Sequence, residues 1–106
     1  MILSTTEHIP NKKIITVLGI AKGSTVRARN IGRDIFAGIK NIIGGELSEY
    51  TRLQEQSRDE ALKRMEDHAQ TIGANAVVNI RFATSVITQG CAEVLAYGTA
   101  VKLEEL

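Results

Sequence analysis

The chain has 106 residues, a formal net charge of +1 and a single cysteine. That is the length of one domain, here expected over 1–106, with too little net charge to draw the whole molecule onto nucleic acid or an anionic membrane. One cysteine excludes an internal disulfide and fits a reducing cytoplasm, and no apolar run reaches the roughly 20 residues that span a bilayer. The start, Met-Ile-Leu-Ser-Thr-Thr-Glu-His, lacks the basic and apolar regions of a secretory signal.

The four aromatics are Phe36, Tyr50, Phe82 and Tyr97, so the core must come from Ile, Val, Leu and Ala. Between His8 and Gly45 the basic residues Lys12, Lys13, Lys22, Arg27, Arg29, Arg33 and Lys40 are opposed by Asp34 alone, whereas acidic residues prevail from Glu46 onward. A basic front half and an acidic back half can pair within one subunit or between neighbours.

The first element is a short extended start, Ile2 to Thr5, closed by a turn at Pro10-Asn11. A long β-rich segment follows, from about Lys13 to Ala28, interrupted by Gly19 and Gly23 at bulges or a turn. Strict alternation sends Ile14, Leu18 and Ile20 one way and Ile15, Val17 and Ala21 the other. A strand apolar on both sides is covered on both sides.

Asn30 is suited to cap a short helix, with Asp34 near its positive end. Ile31, Ile35, Phe36, Ile39, Ile42 and Ile43 form one apolar stripe, and Gly44-Gly45 stops it. Glycine inside a helix costs about 1 kcal/mol relative to alanine, so Gly32 and Gly38 mark a close packing contact. Gly32, Gly38, Gly44, Gly45 and Tyr50 are accordingly assigned to architecture and assembly.

Ser48 caps a second helix of about six turns, which Gly73 ends. Tyr50, Leu53, Ser57, Ala61, Met65, Ala69 and Ile72 share its apolar face. Asp59–Lys63, Glu60–Arg64 and Lys63–Asp67 lie at i, i+4 on the charged face, which also takes His68. Two strands complete the chain, Ala76 to Ile87 and Ala92 to Leu103, joined as a hairpin through Gln89-Gly90. Ala76, Val78, Ile80 and Phe82 are expected on one face of the first. In the second, Val94 and Ala96 face opposite to Leu95, Tyr97 and Val101.

The expected order is β-β-α-α-β-β: an α+β domain of two layers, an antiparallel sheet with helices on one face. One helical layer covers one face of the sheet, while several strands are apolar on both. Another subunit is the simplest cover, so the expected partner is a further copy of the chain.

Asn30, Arg33-Asp34, Ala37-Gly38-Ile39, Ile43-Gly44-Gly45, Tyr50, Arg58 and Ala61 together resemble the YbjQ family of small prokaryotic proteins. Ser4-Thr5-Thr6, Gly73-Ala74-Asn75-Ala76-Val77-Val78 and Gly98-Thr99-Ala100-Val101 extend the similarity over almost the whole chain. Asn79 and Arg81 stand where that pattern has a glycine and an acidic residue. The resemblance implies a fold related to the dodecin subunit, assembled as a ring-like homopentamer. It implies no established reaction, and the family's usual label is "putative heavy-metal-binding".

Soft-metal sites need thiolates close together, and this chain has one thiol. The metal candidates are Cys91, Glu93 two residues on and thus on the same face, and His68; His8 has no spacing that links it to them. A metal ion is therefore the cofactor the family suggests, with no ligand motif in one subunit to hold it. Arg33-Asp34 could bind a ligand or form a catalytic pair between subunits, and the structural alternative is a helix cap and an intersubunit ion pair. Lys22, Arg27, Arg29 and Arg33 offer a surface for an anionic small molecule or nucleic acid, but no aromatic residue interleaves with Arg27 and Arg29, so nucleic acid is not the expected partner. Gly44-Gly45 leads into a helix start that could take phosphate, yet Glu46 and Glu49 already put negative charge there. No nucleophile–base pair is present, and an enzyme would need a site built between subunits.

Overall fold

The computed structural model describes residues 1–27, 47–88 and 91–106. The elements are β1 (Ile2–Leu3), β2 (Lys12–Arg27), α1 (Leu47–Thr71), β3 (Ala76–Thr88) and β4 (Cys91–Glu105). The four strands form one sheet in the order β1-β3-β4-β2, with α1 against one face, chiefly over β2 and β4. The expected first helix, with Gly32, Gly38, Gly44 and Gly45, lies outside the described residues, as does the Gln89-Gly90 turn.

The sheet is mixed, which corrects the expectation of an antiparallel one. β2–β4 and β3–β4 are antiparallel, but β1 runs parallel to β3, Ile2 against Ala76 and Leu3 against Val77. A parallel neighbour needs a long crossover, and the whole of β2 and α1 lies between these two strands. The start is held further by Asn79 N–H to Thr6 C=O (3.1 Å) and Ile80 N–H to Ser4 C=O (3.1 Å).

α1 buries the face its spacing predicts: Ser57, Ala61, Met65 and Ala69 are buried. These meet Ala21, Val77, Ile80, Val94, Ala96 and Ala100 of the sheet, with Leu3, Leu18 and Ile72 at the margin. Thr25 Oγ donates to Ser57 C=O at 3.1 Å within this layer. The charged face carries Arg64–Glu60 (2.6 Å) and Lys63–Asp67 (2.7 Å). The Asp67 hydrogen bond raises the Lys63 pKa above the ordinary lysine value. Gly73, at φ +88°, turns the chain out of the helix, its N–H bonded to Gln70 C=O.

Register shifts on β2 and β3 redirect the side chains. On β2, register shifts at Ile14/Thr16 and Val17/Gly19 place Ile14, Val17 and Ile20 opposite Leu103, Val101 and Thr99. All three therefore lie on the face away from α1, while Leu18 and Ala21 turn toward it; strict alternation had grouped them otherwise. On β3 the shift between Val78 and Arg81 separates Ala76 and Val78 from Ile80 and Phe82, which had been expected on one face. Asn79 sits at that bulge with φ +55°. Asparagine tolerates this left-handed conformation best after glycine, which accounts for an asparagine at the bulge.

Gly23 has a different cause from the bulge glycine Gly19. A Cβ at Gly23 would fall 2.2 Å from Met65 N and 2.6 Å from Ala61 O. The helix backbone rests directly on β2 there.

Candidate functional site

Among the described residues, the face of the sheet away from α1 is covered at one end. There Ile2 and Ile9 pack on Ala76, Val78, Val101 and Leu103. The β2 side stays open, with Val17 66%, Ile20 69% and Val26 54% exposed, and with Ile14 and Tyr97 also exposed.

Along β4 the open face reads as rows across the sheet. Ile14 lies beside Leu103, Val17 beside Val101 and Ile20 beside Thr99, an apolar end. In the next row Lys22 of β2 and Arg81 of β3 flank Tyr97 of β4. Ser24, Leu95 and Ala83 follow, then Val26, Glu93 and Ser85. Arg81 is held by its Nη1, which donates to Thr5 C=O (3.0 Å) and Ile80 C=O (2.8 Å). Lys22 has no ion pair among the described residues, in contrast to Lys12, which is paired with Glu105.

The two sheet edges differ. On β2, the outward N–H of Lys22 donates to His68 Nδ1 (3.1 Å), and Arg64 Nη1 donates to Ser24 C=O (2.6 Å). One helical turn thus supplies two side chains, at i and i+4, that occupy the edge. On β3, residues 82–88 pair with β4 on one side, and no strand pairs with their other side among the described residues. This stretch, Phe-Ala-Thr-Ser-Val-Ile-Thr, holds no charge, proline or glycine, the devices that ordinarily block edge pairing.

His68 is therefore half-buried against β2, not on the free charged face the sequence suggested. Its Nδ1 is the acceptor in that contact. Cys91 opens β4, and its side chain lies outside the described residues. Glu93 lies on the open face, opposite to His68. The Lys22–Tyr97 row that His68 touches is six residues from Cys91 along β4, roughly 20 Å at the strand rise. One subunit does not bring these three together, and no group of three or more His, Cys, Asp or Glu able to hold a metal occurs among the described residues. Arg27 ends β2 opposite Ala92. Its side chain, that of Tyr50, and all of Arg29, Arg33 and Asp34 lie outside the described residues.

Sequence reasoning missed Tyr97 and Arg81 as neighbours of Lys22. Strand register, which the sequence alone did not supply, aligns them. No helix among the described residues is long and apolar enough to cross a membrane.

A family model, YbjQ_1, described as "Putative heavy-metal-binding", matches residues 1–104. A UPF0145 protein of Hahella chejuensis is 56% identical over 104 residues, covering 98% of this chain and all of that protein. One from Methanosarcina acetivorans is 50% identical over 103 residues, covering 97% of each. Among solved structures, a Pediococcus pentosaceus protein of unknown function from the DUF74 family aligns with a TM-score of 0.63 at 14% identity, over 98% of both chains. That likeness concerns the fold.

Proposed function

We propose, for a chain that belongs to the YbjQ family, a role as a self-assembling cytoplasmic protein whose working form is a homo-oligomer, with the ring pentamer as the expected copy number. The observation that carries this reading is the open sheet face with its apolar end at Ile14, Val17 and Ile20. The uncharged β3 edge offers a second contact, by strand addition.

The family description adds a ligand class, a heavy metal. With Cys91 and His68 far apart in one chain, such a site draws its donors from more than one subunit, Cys91 and Glu93 being the neighbouring pair on offer. Assembly and metal uptake are thus one hypothesis in two steps. Native mass spectrometry of protein purified without chelator or affinity metal tests both. A multimer in the wild type and a monomer in Ile20→Asp support the first step. A wild-type monomer at micromolar concentration overturns it. Retained metal lost in Cys91→Ser supports the second step, and unchanged stoichiometry in that variant removes it.

A further inference from the structure

We propose that the row Arg81–Tyr97–Lys22 on the open face binds a nucleobase with its phosphates, the base stacked on Tyr97 and phosphate oxygens held by the two flanking cations. The proposal does not rest on metal binding, and it places the site at the polar border of the apolar patch assigned to assembly.

Three observations combine. Register fixes the alignment: Tyr97 is the cross-strand partner of both Lys22 and Arg81, so the cations stand on either side of one aromatic ring, roughly 10 Å apart at the strand spacing. Access is available: Tyr97 is 39% exposed, Lys22 and Arg81 are exposed, and the adjoining row carries the small side chains Ser24 and Ala83. The Arg81 guanidinium and the Lys22 backbone are each held in place. Arg81 spends Nη1 on two carbonyls and keeps Nε and Nη2 for a ligand, while the Lys22 backbone is fixed by His68.

The charge pattern selects an anion. The row holds no carboxylate, and Glu93, the nearest acid along β4 on the same face, is four residues away, roughly 13 Å. An aromatic face between cations on an open strand surface suits a base and its backbone, because stacking tolerates any base and phosphates meet the flanking charges. The expectation against nucleic acid rested on basic residues without an interleaved aromatic; here the aromatic comes from the next strand. The site is a flat surface and not a cleft, so affinity is expected to be weak, and an extended strand fills it better than an enclosed small molecule.

The test uses the full chain with a fluorescently labelled single-stranded oligothymidylate of about ten nucleotides and, separately, thymidine monophosphate. Anisotropy and NMR shift perturbation read the binding. Tyr97→Ala is expected to weaken binding tenfold or more, Tyr97→Phe to leave it within about twofold, and Lys22→Ala to flatten the salt dependence. Two phosphate contacts give a logarithmic salt slope of about −1.4 on a single strand. Binding of the oligonucleotide alone assigns the site to a strand, and binding of both assigns it to the base and phosphate themselves. No binding of either up to about 1 mM, or equal binding by wild type and Tyr97→Ala, overturns the proposal. Subunit number is measured for every variant. If Tyr97→Ala dissociates the assembly, Lys22→Ala within an intact assembly decides: lowered affinity supports the site, unchanged affinity refutes it. Failure of this site leaves the assembly reading standing, since Ile20→Asp tests that separately.

Discussion

Substituting Gly23 by alanine is the sharpest test of how α1 lies on the sheet. A Cβ there would meet Met65 N at 2.2 Å, Ala61 O at 2.6 Å and Arg64 C at 2.6 Å. All three are backbone atoms of one helix, so no rotamer change relieves the clash and the helix must lift from β2. Lifting it loosens Met65, Ala61 and Ala69, which are fully buried beneath it. Overpacking a core costs about 1–3 kcal/mol, and contact with immovable backbone puts this change at the upper end. Gly98→Ala provides the internal standard. Its Cβ would meet Val77 Cγ1 at 2.7 Å, Val78 O at 2.9 Å and Ile80 Cγ1 at 3.1 Å, two of them side-chain methyl or methylene groups that can give way. Both substitutions change the unfolded chain alike, so the glycine entropy effect cancels in the comparison. Urea denaturation at one fixed protein concentration should rank wild type, Gly98→Ala and Gly23→Ala in falling order, with a gap of about 1 kcal/mol or more between the variants. At about 4–8 °C per kcal/mol, Gly23→Ala should lower Tm by at least about 10 °C. A Gly23→Ala variant within about 0.5 kcal/mol of wild type, or one more stable than Gly98→Ala, would refute the close approach of helix and strand.

Other expectations follow from single contacts. Asn79→Gly should leave stability within about 0.5 kcal/mol of wild type, whereas Asn79→Val should cost about 1–3 kcal/mol, because a β-branched residue resists φ +55°; equal effects by thermal unfolding would exclude the left-handed bulge. Thr25→Val removes the hydroxyl bonded to Ser57 C=O in a buried layer and should cost about 1 kcal/mol by denaturant titration. Arg64→Ala with His68→Ala strips both side chains from the β2 edge and should raise light scattering on heating, while Val86→Lys, on the uncharged β3 edge, should lower it. The raised Lys63 pKa means that its bond to Asp67 contributes below the ordinary lysine value and is lost as pH rises through the raised one. Asp67→Asn should therefore alter the stability profile in the alkaline arm and leave its shape near neutrality unchanged.

What the sequence made legible was periodic and local. The four-residue spacing of Ser57, Ala61, Met65 and Ala69 identified the buried stripe of α1, and the opposition of Val94 and Ala96 to Leu95 and Tyr97 oriented β4 correctly. The turn at Pro10-Asn11 was legible too, and Asn11 takes φ +65° there. Side-chain direction on β2 and β3 was not, because a bulge adds one residue and inverts every assignment beyond it. Neither Ile15 nor Asn79 announces a bulge by its type. The parallel β1 was equally hidden: two residues, Ile2 and Leu3, have no periodicity to read. His68 was misplaced because it lies at the rim of the helix, where whether a residue meets the sheet depends on how far β2 extends beneath it. Of the candidate site, Lys22 was named from charge alone, and its partners Tyr97 and Arg81 came from register.

These features are connected through the two bulges of β2. Were the strand regular from Ile14, Val17 and Ile20 could not share a face, since an odd separation of three puts residues on opposite sides. The inserted residues bring Ile14, Val17 and Ile20 into line on the open side and return Ala21 and Gly23 to the helix side in time for α1 to seat on them. The same phase places Lys22 opposite Tyr97 on the open face, with its outward N–H available to His68. Deleting Ile15, the residue without a partner at the first bulge, would therefore leave Ile14 opposite Leu103, Val17 opposite Val101 and Lys22 opposite Tyr97. Assembly and nucleotide binding should both persist in that variant. Loss of assembly alone would mean that the apolar end needs the bulge itself, and loss of both together that the apolar end and the cationic row form a single surface.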